Sequence, residues 1–137
     1  MSEILFRAKR LDNNEWIEGY YVPVCLGRFP CVPCIVPEPV DLWEPIKVDP
    51  STIGMCVPSI TDKNGRKLFD GDIVHETVTS YYQPIGKICY NVENCQWRIE
   101  YVNDVVTFSS VGSGRIYELL GNIYDNPELL LEENNET

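Results

Sequence analysis

A chain of 137 residues with 44% hydrophobic and 11% aromatic side chains has enough apolar surface for a core of its own, which excludes a disordered chain. Its 21 acidic against 11 basic residues leave a formal net charge of −10, a balance that disfavours nucleic acid as a general partner, because phosphates need clustered Lys and Arg. No run approaches the roughly 18 consecutive apolar residues of a spanning helix, so no membrane partner is expected.

The opening MSEILFRAKR sets charges around a short apolar run, unlike a signal peptide. A cytoplasmic location follows as the expectation, with the six cysteines read as reduced thiols or metal ligands before disulfides. ILFRAKR reads as a strand, DNN as a turn and EWIEGYYV as the returning strand of an N-terminal β-hairpin. Trp16, Glu18 and Tyr20 share one face of that strand, with Ile17 and Tyr21 on the other, so both faces call for partial cover.

Residues 23–50 hold most of the ten prolines. Proline removes a backbone donor, which predicts a long irregular segment with only a short strand around Ile35 and Val36, and no interior strand over much of its length. STIGMCVPSIT is predicted as a short strand and Asn64-Gly65 as a type I′ hairpin turn. DIVHETVTS, IGKICYN, QWRIEYV and VVTFSS follow as antiparallel strands, with turns at Gln83-Pro84, Val92-Glu93-Asn94 and Asn103-Asp104. RIYELLGNIY closes the series as a strand, although RIYELL alone fits a short helix as well. Asn126 as cap, Pro127 at the first helical position and Glu128 in the first turn predict a short helix over NPELLLEE.

The fold expected is mainly β and forms a single domain over residues 1–137. An N-terminal hairpin with an irregular Pro-rich segment (1–60) packs with a C-terminal part (61–133). That part is a small antiparallel sheet or SH3-like barrel ending in a short helix.

Several groups of residues invite a chemical reading. Cys31-Val32-Pro33-Cys34 has the spacing of half a zinc site, and a closed site needs four ligands, for which Cys25, Cys31, Cys34 and Cys56 are the candidates. Cys56, Cys89 and Cys95 make no second CxxC, so small buried thiols are the preferred reading and no metal is assigned. Asp70 and Asp72 share a face in an extended chain, about 7 Å apart, and could hold magnesium with further ligands. The preferred alternative makes Asp70-Gly71 a turn and turns Asp72 onto nearby backbone amides. A calcium loop counted from Asp62 fails, because its sixth and twelfth positions hold Lys67 and Ile73. SVGSGR, residues 110–115, lacks the lysine of a phosphate loop, and His75 has no nucleophile at a recognisable spacing. Trp43, Tyr81 and Tyr82 are read as covers for the ends of a β core in preference to stacking groups. No catalytic residue and no cofactor is assigned.

Three blocks, LFRAKRLDNNEWIEGYYV, VDPSTIG with TDKNGRKLFDGDIV, and LLGNIYDNPELL, occur in order along nearly the whole chain. Together they resemble the YopX-type proteins of bacteriophages and prophages. The resemblance implies a mostly-β, phage-derived protein of the bacterial cytoplasm, and it implies no activity. Val57-Pro58-Ser59-Ile60 departs from the family pattern, and the Pro/Cys-rich segment 23–47 is peculiar to this chain. The leading functional expectation is a non-enzymatic interaction module that binds itself as a homo-oligomer, or a phage or host protein. Nucleic-acid regulation, by a small-barrel surface or by acidic DNA mimicry, is the alternative. A metal-dependent hydrolase around Asp70 and Asp72 ranks third.

Overall fold

The computed structural model describes residues 4–25, 27–37, 44–77, 84–101, 108–112 and 116–131. Trp43, Tyr81, Tyr82, Gln83, the Asn103-Asp104 turn, residues 113–115 and the C-terminal tail lie outside them. The chain divides into two compact units, Met1–Cys56 and Val57–Thr137.

The first unit opens on the predicted hairpin, with β1 (Phe6–Lys9) antiparallel to β2 (Trp16–Val24) from Phe6↔Gly19 to Lys9↔Trp16. The connecting turn is closed by the Arg10 N–H on the Glu15 carbonyl at 2.9 Å, with Asn14 at φ 63°, a conformation asparagine tolerates. β3 (Val32–Pro37) then pairs along β2, and β4 (Ile46–Lys47) pairs on the far side of β3. The first residues of β5 (Gly54–Thr61) join β1, giving the order β4-β3-β2-β1-β5.

The short strand expected around Ile35 and Val36 is β3, and it has a neighbour on each side despite its prolines. Parity explains it. Pro23 faces Pro33, and two residues without N–H groups cannot exchange hydrogen bonds, so theirs is a non-hydrogen-bonded pair. Alternation puts Gly19↔Pro37 in the same class, and Val22↔Cys34 and Tyr20↔Val36 in the bonded class. Every proline of the β2–β3 ladder sits where that ladder needs no donor. Gly19 is required for a different reason: a Cβ there would lie 2.0 Å from the Val36 carbonyl oxygen. Ala8, Ile35 and Val48 are sealed from solvent in this unit's core, with Phe6, Ile17 and Ile53 packed around them.

In the second unit the end of β5 forms a hairpin with β6 (Lys67–Phe69). A five-stranded antiparallel sheet follows, built from β7 (Asp72–Thr77), β8 (Ile85–Asn91), β9 (Gln96–Tyr101), β10 (Phe108–Ser110) and β11 (Ile116–Asn122). Its order is β10-β9-β8-β7-β11, open at β10 and β11, so the sheet alternative to a barrel is the one realised. RIYELL is strand, because pairing with β7 lets Tyr117 fill the core while its neighbours Ile116 and Glu118 face outward. Val57, Leu68, Val74, Ile88, Ile99 and Tyr117 make that core.

Two local expectations are corrected. The 62–66 turn is not type I′, since Gly65 alone takes positive φ, at 82°. The Gly65 N–H donates to the Asp62 carbonyl at 3.0 Å and the Asp62 N–H to the Arg66 carbonyl at 2.9 Å, a type I turn closed by a glycine bulge. The expected short terminal helix is α1, described over Glu128–Leu131, but the Asn126 side chain, expected to cap it, turns back to accept from the Asn122 N–H at 3.3 Å. Among the described residues no helix is long and apolar enough to cross a membrane.

Candidate functional site

The DKNGRKLFDGDIV stretch and the LLGNIYDNP stretch meet in the second unit. Asp62 lies at the start of the hairpin turn with its carboxylate out of solvent. Its Oδ1 accepts from the N–H groups of Asn64 and Arg66, both at 2.9 Å. Its Oδ2 accepts from Arg66 Nε at 2.9 Å and from the Leu119 N–H at 3.2 Å. Burial alone pushes such a carboxyl up, but the Arg66 guanidinium and the three backbone donors outweigh it and hold Asp62 at about 2. The same turn covers the outer edge of β11: the Lys63 N–H donates to the Tyr117 carbonyl at 2.8 Å, and Arg66 Nη2 to the Leu119 carbonyl at 3.2 Å.

The Asp70-Gly71-Asp72 turn makes the second junction. Gly71 takes φ 96°, so the chain is not extended here and the two carboxylates are not displayed side by side. Asp72 is buried, and its Oδ2 accepts from the Phe69 N–H at 2.7 Å, the backbone-holding role preferred for it. The Gly71 N–H donates to the Ile88 carbonyl at 2.7 Å, and its own carbonyl accepts from the Ile123 N–H at 2.9 Å. A Cβ at Gly71 would press on the Tyr124 ring at 3.2 Å. Asn122 then closes the terminal turn, its side-chain oxygen accepting from the Tyr124 and Asp125 N–H groups, each at 2.9 Å. The most distinctive residues of the sequence thus hold backbone to backbone.

Two further polar groups lie on opposite faces of the β7–β11 ribbon. His75 Nε2 bonds to Glu118 Oε1, and Lys63 Nζ stands 3.5 Å from the same oxygen. The His75 contact, with Lys63 behind it, holds the Glu118 carboxyl below its ordinary range. On the core face Glu76 is buried and accepts from the Tyr101 hydroxyl at 2.5 Å, and that hydroxyl also meets Ser109 Oγ at 2.8 Å. Nothing in the spacing of Glu76, Tyr101 and Ser109 announced this contact; only the strand register creates it.

The cysteines depart from the expectation of reduced thiols. Cys25 and Cys31 form a disulfide across the loop between β2 and β3, which withdraws both from the candidate zinc set. Cys34 is buried in β3, where burial pushes its thiol up, and Cys56 lies half-buried in β5. Burial, with Glu100 beside it, pushes the Cys89 thiol up to about 11. Among the described residues no three His, Cys, Asp or Glu side chains come together as a metal would need.

Among the described residues, a concave feature lies in the first unit. A cleft of about 390 Å³ is lined by Arg10, Leu11, Asp12 and the segment Glu44–Lys47. The Leu11 N–H, bonded to the Lys47 carbonyl at 3.1 Å, ties its two walls together. Arg10 is fixed by a fork onto Asp12, Nε to Oδ1 at 2.9 Å and Nη2 to Oδ2 at 2.6 Å. Leu11 is 60% exposed, with Pro45 and Ile46 as the other apolar lining. Apolar surface framed by a pinned ion pair and by Lys47 suits an extended peptide, which offers apolar side chains and backbone polar groups together. No sequence signal joins these residues, because their two segments are more than thirty positions apart and neither carries a motif.

The sequence model of a family described as YopX protein matches residues 44–131, well over half of the chain, and both junctions lie inside the match. No curated protein matches the chain.

Proposed function

Since this chain belongs to the YopX protein family, we propose that it is a non-enzymatic binding module of phage or prophage origin, acting in the bacterial cytoplasm. Its partner is protein, either a second copy of itself or a phage or host protein. The observation that carries this reading is the Arg10–Lys47 cleft, where a 60% exposed leucine stands beside fixed charges. Adjoining apolar residues rimmed by polar groups, here Leu11, Pro45 and Ile46, are a common form of a protein contact. Light scattering, with pull-downs from phage-infected cells, tests it. Either a mass above the monomer or a specific co-purifying protein is expected, and Leu11→Asp should weaken the association about ten-fold or more. A strict monomer that retains no partner overturns it.

A second reading, nucleic-acid regulation, is favoured by one contact. Arg98 stacks over the Phe108 ring at 3.9 Å, and Phe108 is 44% exposed, the pairing of cation and aromatic used on single strands. A single-stranded oligonucleotide should then bind at low salt and be released by about 0.2 M salt, with Phe108→Ala weakening it. The net charge of −10 weighs against this form and favours mimicry of DNA, which competition against a DNA-binding host enzyme would reveal.

A further inference from the structure

We propose that the tip of the β2–β3 hairpin is a redox clasp: the Cys25–Cys31 disulfide holds it shut, and reduction by a small-molecule thiol opens it as far as Cys34. Both half-cystines are solvent-exposed and accessible to a thiolate. Between them the loop turns through Gly27 at φ 63° and displays Phe29, which is 76% exposed. Immediately inboard of the disulfide the ladder has a single bonded pair, Val24↔Val32, and then the donor-free Pro23↔Pro33 pair. The backbone bonds of the tip are thereby separated from those of the rest of the strand pair, so toward β2 one pair and one covalent bond close it, while on the other side the Val48 N–H donates to the Pro33 carbonyl at 3.2 Å. Further in, Cys34, Ile35 and Val36 are buried, and opening stops there.

The thiol chemistry is confined to that one bridge. Cys31 and Cys34 lie three apart along an extended chain, so their side chains point to opposite faces and cannot pair while β3 stands. Cys34 is also 2% exposed, out of reach of a thiol in solution, and burial pushes its own thiol up. In the step itself a glutathione-class thiolate attacks one of the two sulfurs, the protein S–S bond breaks, and a mixed disulfide forms. A second thiolate resolves it. Two electrons and two protons pass to Cys25 and Cys31, and one small-molecule disulfide leaves.

Arg28, inside the clasped loop, provides the readout, because trypsin cuts after it. Limited trypsin digestion of the full chain, oxidised or pre-reduced with glutathione, is followed by mass at the Arg28–Phe29 bond. Cleavage should run about ten-fold faster or more in the reduced protein, since proteolysis tracks the open population. The Cys25→Ser/Cys31→Ser variant should be cut at the fast rate in both conditions. Iodoacetamide labelling should find Cys25 and Cys31 protected only in the oxidised protein. Equal cleavage in the two redox states of the wild type overturns the clasp, and so does equal labelling, neither of which depends on the variant folding.

Discussion

At the scale of single residues, the second unit depends on Asp62. One side chain with no solvent exposure takes an ion pair and three backbone N–H groups, and reaches from the hairpin turn to β11. Its carboxyl sits at about 2 against an ordinary 3.8, so folding favours the ionised form. The contribution, about 2 kcal/mol, is present in full above pH 3.8 and is lost as pH falls through the folded value. Asp62→Asn should therefore lower stability by about that amount at neutral pH, and the gap between wild type and variant should narrow below pH 3.8 and nearly close by about pH 2. Urea midpoints measured from pH 6 down to pH 2 check both statements. Ser59 marks the opposite case: it takes φ 61°, a left-handed conformation unusual outside glycine and asparagine.

Among the strands and turns, the controlling fact is where backbone donors are needed. The 62–66 turn gives β11 an edge partner, which disposes of the exposed N–H and C=O groups that make edge strands hazardous. In the first unit the same requirement is met by omission, with prolines placed at the non-bonded positions of the β2–β3 ladder. Moving the proline by one residue should be decisive. Pro33→Val should change stability by no more than about 1 kcal/mol, through the freedom it returns to the unfolded chain. Cys34→Pro should cost about 3 kcal/mol or more, because position 34 shares a bonded pair with Val22. Thermal unfolding of the two variants separates these outcomes.

For the molecule as a whole, the formal charge of −10 over 137 residues sets the response to solution conditions. Ion pairs such as Lys87 with Glu100 at 3.9 Å are exposed and contribute little, whereas the excess of carboxylates repels itself throughout the fold. Raising sodium chloride from about 20 to 200 mM, which shortens the screening length to below about 10 Å, should therefore stabilise the protein. Chemical denaturation at the two salt concentrations should move the midpoint upward; a downward shift would mean that favourable pairs outweigh the repulsion. The two compact units, each with its own sealed apolar cluster, give two places at which such unfolding can be followed.

From the sequence alone came the mainly-β class, the N-terminal hairpin, β5, the strands β7 to β10, β11 as strand in preference to helix, and the family, because alternation, Gly/Asn/Asp turns and three ordered blocks are local signals. The short strand around Ile35 and Val36 was legible, but its interior place between β2 and β4 was not, since proline content reports lost donors without saying which donors a ladder uses; that depends on the register with β2. The Cys25–Cys31 bridge was missed for a similar reason, because spacing gives no pairing until the hairpin turns the two residues toward each other. The cleft, and the Glu76–Tyr101 contact, join positions far apart in the chain. Local chemistry sets which elements form and where they turn. Only packing between elements decides which polar groups meet, and here it gave the most conspicuous aspartates to the backbone and left the candidate contact surface to residues without a motif.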